Sequence, residues 1–331
     1  MASLRRTFKS ALSPPTRPTK PTSIPESDAG SAPTAPHSFP SQYPAHVLVH
    51  TILLLVSLFL LPRTAVLKPA GPTRNLDKPQ HPFLEPLTTR PAFTAAWAVL
   101  GSALVVGWWA GSIREWIREG KIGVGISERM RDSGQRADMW NAGVFTFYAS
   151  LAFCFMIVLF GAPISTHLPH TYLFALSLAI LTTLTPAYAL GPPSFPIQLP
   201  LLFNAKNTPH NASTTLMLNN TWVRLFAERS PRSAVERAIV YPSIGALMGA
   251  WTGVIPIGLD WDRPWQAYPL TPLIGAFVGY AFGSLSAVAS SFVVYLAAYD
   301  VENEAPAPGD APTSIEKKKK GKKAKKPVKE A

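Results

Sequence analysis

The chain has 331 residues, 47% hydrophobic and only 15% charged, and its single cysteine, Cys154, rules out an internal disulfide. Its charged residues lie almost entirely outside a few long apolar runs, which excludes an ordinary soluble domain and points to a polytopic membrane protein. The net charge of +12 owes much to nine lysines within residues 317–329, none interleaved with aromatics, so it suits anionic headgroups or the setting of topology, and no nucleic-acid partner is expected.

In chain order, residues 1–44 are rich in Pro, Ser and Thr and too poor in large apolar side chains to bury a core, so a disordered head is expected. Arg5, Arg6 and Lys9 are followed by polar, proline-rich sequence with no apolar stretch of a cleavable leader, so targeting is expected from an internal span. Apolar runs then predict about six membrane helices, over 45–61, 92–113, 141–162, 168–190, 238–259 and 272–299. The loops between the paired spans are 62–91, 114–139 and 191–237, and 300–331 is a lysine-rich, disordered tail. His46 and His50 share a face near the start of the first span, and without a carboxylate or cysteine beside them they read as interfacial. Gly123-Val124-Gly125 lacks the strand and lysine of a phosphate loop. In the fourth span Pro186 predicts a kink, with the hydroxyls of Thr182, Thr183 and Thr185 serving the carbonyls it frees.

Lysine and arginine number 25 on the side of both termini and 6 on the other. The positive-inside rule therefore puts both termini in the cytosol. The sequons at Asn211 and Asn219 then lie on the cytosolic side and should go unused.

Glycines recur at every fourth position in the last two spans: Gly245, Gly249 and Gly253 in the fifth, Gly275, Gly279 and Gly283 in the sixth. That spacing lines one narrow helical face and lets backbones approach closely in lipid. The expected fold is thus an all-α polytopic bundle with glycine-faced helices five and six, packing on each other or on a partner. Between them lies a dense turn, Asp260-Trp261-Asp262-Arg263-Pro264-Trp265-Gln266. As a structural clasp, Asp260 would accept backbone N–H groups, Arg263 would pair with an aspartate, and Pro264 would set the turn. As a site, the carboxylates and tryptophans would hold a lipid or glycan headgroup or contact a partner. The spans carry no internal Asp, Glu, Lys or Arg away from their ends, which disfavours an ion-coupled transporter. No metal cluster or nucleophile motif stands out, so no catalytic residue, metal or cofactor is assigned to this chain.

The stretch Gly249-Ala250-Trp251-Thr252-Gly253, Pro256-Ile257-Gly258-Leu259 running into the turn, then Tyr268-Pro269-Leu270-Thr271 and Gly275-Ala276, resembles the Pig-F family of glycosylphosphatidylinositol (GPI) anchor biosynthesis. Gly161-Ala162-Pro163 and Ala189-Leu190-Gly191 are similar to it too, and the likeness extends over roughly residues 45–300, with 202–222 matching poorly. The resemblance implies an endoplasmic reticulum membrane protein acting in transfer of ethanolamine phosphate to mannose of the GPI precursor. It implies an accessory, stabilising subunit whose partner is a large catalytic subunit with a lumenal zinc-dependent domain and phosphatidylethanolamine as donor. The precursor and lipids would be met through that complex. A transferase or headgroup-binding component on the lumenal face, or a lipid flippase, are the alternatives.

Overall fold

The computed structural model describes residues 42–64, 81–118, 134–163, 165–193, 212–259 and 261–304. Residues 1–41 of the expected disordered head, most of the lysine tail, Asp260 and Asn211 lie outside the described residues, and the last two residues of that head, Tyr43 and Pro44, open the first helix. Six helices are long and apolar enough to cross a membrane, as the hydropathy pattern predicts. They are α1 (Tyr43–Phe59), α2 (Pro91–Trp116), α3 (Gln135–Leu159), α4 (Leu168–Leu190), α5 (Ala234–Thr252) and α6 (Leu270–Glu304). Among the described residues there is no strand.

α4 is the central helix, with 78% of its apolar segment buried, against 17% for α3. It packs against α2 and α3, α5 packs along α6, and α1 leans on α2 and α6. One core, around Leu54, Ala98, Phe174, Leu181 and Phe277, fills the interior. A second, around Trp109, Trp116, Leu190, Leu225 and Ile239, closes the end where α1 begins and α2 finishes. Outward faces are apolar as well: Leu104, Phe155, Phe282 and Val293 are exposed. A bundle solvated by acyl chains needs no polar exterior, so its interior is marked by small residues and satisfied polar groups.

The helices run beyond the expected spans at the end nearer the termini, and bring charge inside with them. Arg114 is buried at the end of α2, donates to the Tyr188 carbonyl at 3.0 Å, pairs with Asp138 of α3 and stacks on the Tyr188 ring. Glu236 caps α5 through Ser233, whose Oγ accepts from the Glu236 N–H at 3.1 Å, and its carboxylate takes a two-pronged bond from Arg224. Arg237 donates to Ser291 of α6 at 2.8 Å. Ions this deep persist because each is paired or hydrogen-bonded. The 191–237 loop also holds structure: a helix, Ala212–Trp222, runs into a wide π turn, Val223–Ala227, and Trp222 donates its indole N–H to the Gly191 carbonyl at 3.0 Å. Asn219 lies in that helix.

Two local expectations change. His46 is half-buried near the start of α1, but His50 is fully buried, stacked on Trp109 at 4.9 Å between centroids and edge-on to Tyr280 at 5.4 Å. It is a packing residue and not an interfacial one, because one further helical turn carries it behind α2 and α6. In α4, Pro186 is preceded by a π turn, Ile180–Leu184. Thr182 and Thr183 donate to Leu178 and Ala179, each at 2.8 Å, one turn upstream. The carbonyl four residues before the proline is that of Thr182, and its hydroxyl donor comes from α5, Ser243 at 3.2 Å.

Candidate functional site: a glycine-locked helix pair, its clasp and an adjoining groove

α5 and α6 meet backbone to backbone. A Cβ at Gly249 would sit 2.0 Å from the Gly275 oxygen, and one at Gly279 would sit 2.1 Å from the Gly245 oxygen. Gly253 faces Thr271 and Gly283 faces Tyr241, with 2.5 and 2.3 Å left for a Cβ. These separations are below any tolerable contact, so glycine is sterically required along the whole seam. The seam lies within the chain, and the six glycines are consumed by it.

The chain leaves α5 through a 3₁₀ turn, Ile255–Gly258, and reaches α6 through a second, Pro264–Gln266. The ties across this clasp converge on Gln266. Its Nε2 donates to the carbonyls of Pro256 at 2.6 Å and Leu259 at 2.8 Å, and its Oε1 accepts from the Arg263 N–H at 2.7 Å. One amide thus joins the two 3₁₀ turns, using both donors and its acceptor. Pro264 is buried and starts the second turn. Asp262 takes a left-handed backbone, φ 46°, which short polar residues tolerate best after glycine. Trp261 and Trp265 meet edge to face at 5.8 Å, with Trp261 largely exposed. Asp260, to which the sequence assigns a closing role, lies outside the described residues; among the described ones the side chain that joins the two turns is Gln266. Its signal was weak, being only an amide three residues after Arg263.

Beyond the clasp, Tyr268 donates its hydroxyl to Thr171 of α4 at 3.1 Å, and burial pushes its phenol up from the ordinary value, so it stays protonated as a donor. Beside this tie, a groove of about 1420 Å³ runs between α3, α4 and α5. Phe174 and Leu178 floor it, Phe153 and Phe160 form one wall, and Leu247 and Trp251 the other. His167 and His170, ring centroids 5.1 Å apart, stand at its clasp end. A polar recess of about 420 Å³, lined by Asp262, Arg263 and Gln266, adjoins it. Recess and groove share Ile257, Gly258 and Ala267 as common lining. The groove was not legible in the sequence, because its walls come from segments about a hundred residues apart, whereas the recess is lined by the turn the sequence singled out. Among the described residues no three of His, Cys, Asp and Glu group to hold a metal ion.

Residues 126–288 match the family profile described as GPI biosynthesis protein family Pig-F. The chain is 40% identical over 129 residues to glycosylphosphatidylinositol anchor biosynthesis protein 11 of Pyricularia oryzae, covering 39% of this chain and 38% of that one. It is 34% identical over 151 residues to the protein of the same name in Yarrowia lipolytica, covering 46% and 54%. To the human GPI ethanolamine phosphate transferase, stabilizing subunit, it is 31% identical over 140 residues, covering 42% and 52%. The chain therefore spans about half or less of the length of these relatives, and no solved structure matches it. The profile begins at residue 126, so α1 and α2 fall outside a likeness that the motifs suggested from about residue 45. Over residues 126–288, which hold α3 to α5, most of α6, the glycine seam and the clasp, the chain matches the profile of the GPI biosynthesis protein family Pig-F.

Proposed function

We propose that this chain is the accessory, stabilising subunit of a GPI ethanolamine-phosphate transferase of the endoplasmic reticulum, with both termini cytosolic and the clasp lumenal. Its partner is a large catalytic subunit that binds the zinc and handles phosphatidylethanolamine and the GPI precursor, and this chain contributes no cofactor of its own. What carries the reading is the family match over α3 to α6, together with relatives named as the stabilizing subunit of GPI ethanolamine phosphate transferase. The physical reading agrees with it: α5 and α6 are interlocked at backbone distance and stapled by Gln266, which gives a stiff pair against which a partner can fold. The lysine and arginine balance of 25 against 6 supports the orientation.

The test is affinity purification of the tagged chain in mild detergent. A large transferase subunit should co-purify, and its steady-state level should fall when this chain is depleted. Transfer of ethanolamine phosphate by the purified chain alone would instead show the catalytic centre to be here. A second reading, a headgroup-binding component, has one observation in its favour, the recess lined by Asp262, Arg263 and Gln266. Loss of transfer in Asp262→Asn with the complex intact would establish it.

A further inference from the structure

We infer that the groove and recess together form a site for one diacyl phospholipid whose headgroup carries charges of both signs. The inference stands on the geometry of the clasp end and does not depend on which partner the chain has.

The groove's volume, about 1420 Å³, exceeds the roughly 300–1,000 Å³ typical of small-molecule sites. Its walls are apolar and its edges open sideways: Phe160 is 84% exposed and Trp251 68%. Within a bilayer such a cleft is accessible to acyl chains along its length. At its clasp end the lining changes character. Among the described residues, the recess that continues from it is lined by the Asp262 carboxylate and the Arg263 guanidinium, with the Gln266 amide already engaged in the clasp. A dipolar headgroup matches that pair, with its ammonium toward Asp262 and its phosphate toward Arg263. His167, His170 and Tyr268 line the groove where the glycerol linkage would lie. An anionic headgroup would bring no positive group to the Asp262 carboxylate. A soluble phosphate compound would leave the apolar cleft unfilled. A partner's membrane helix would fill the cleft but leave the charged recess unmatched.

The experiment uses the full chain, purified in mild detergent and equilibrated with an equal mixture of phosphatidylethanolamine, phosphatidylcholine and phosphatidylglycerol of matched acyl length. Native mass spectrometry then reads the retained lipid. One lipid per chain is expected, with the two zwitterionic species retained about tenfold over phosphatidylglycerol. Asp262→Asn keeps the left-handed turn and removes the negative charge, so phosphatidylglycerol should rise to parity. Leu247→Trp narrows the groove and should lower retention of all three about tenfold at an unchanged melting temperature. If that variant unfolds, Phe153→Trp narrows the cleft from the opposite wall. Retention of no lipid by the native chain, equal retention of the three headgroups, or crosslinks from Leu247 and Phe153 positions to a membrane helix of a co-purifying protein would each overturn the proposal.

Discussion

Gln266 concentrates the clasp in one side chain. Its two donors serve the carbonyl of Pro256, inside the first 3₁₀ turn, and that of Leu259, just past its end. Gln266→Leu keeps the bulk and removes all three bonds, and is expected to destabilise the protein by about 1–3 kcal/mol. Gln266→Glu should be no better, since a carboxylate restores the acceptor for Arg263 N–H but turns an oxygen toward two carbonyl oxygens. Thermal unfolding of the purified variants in detergent checks both, and a melting temperature for Gln266→Glu equal to the native one would contradict the staple. Aspartate, arginine and proline announce turns by residue type, whereas a glutamine that spans ten residues to reach Pro256 is visible only once the chain has folded.

Among the helices, the α5–α6 seam sorts glycines by what surrounds them. Gly249 has its partner's carbonyl 2.0 Å from any added Cβ, while Gly107 in α2 has no atom within 4 Å. Gly249→Ala should force the backbones apart, costing about 1–3 kcal/mol or more as overpacking. Gly107→Ala should be neutral or stabilising by up to about 1 kcal/mol from helix propensity. Melting temperature and monodispersity on gel filtration read the difference, and equal behaviour of the two variants would remove the case for the seam. α4 shows the opposite device. Its proline is tolerated because the Thr182 carbonyl finds Ser243 on a neighbouring helix, so the deviation in one element is satisfied by another.

For the molecule as a whole, the buried charges lie at one end. Arg114, Asp138, Arg224, Glu236 and Arg237 gather near the termini, each with a partner, and the opposite end carries the clasp, the histidine pair and the groove. The proposed orientation sets that second end in the lumen. In intact microsomes of a Cys154→Ser background, a Trp261→Cys chain should resist a membrane-impermeant maleimide until the membrane is permeabilised. Labelling before permeabilisation would invert the topology and move the clasp to the cytosol. Trp261 suits the probe because its side chain is 54% exposed and the seam does not depend on it.

The six spans and their order were determined by the sequence alone, since the length of an apolar run is a local property set by bilayer thickness. The glycine spacing was equally legible, because every fourth residue shares a helical face whatever lies opposite. What faces each glycine was a tertiary matter: Gly249 meets Gly275 only because the clasp folds α6 back along α5 in that register. The burial of His50, the pairing of Arg114 with Asp138 and the supply of a donor to Thr182 were decided the same way, by helices distant in sequence. The groove belongs wholly to that second class. Its walls are ordinary apolar helix faces, and only their arrangement around α4 leaves a lipid-sized cleft next to a charged recess.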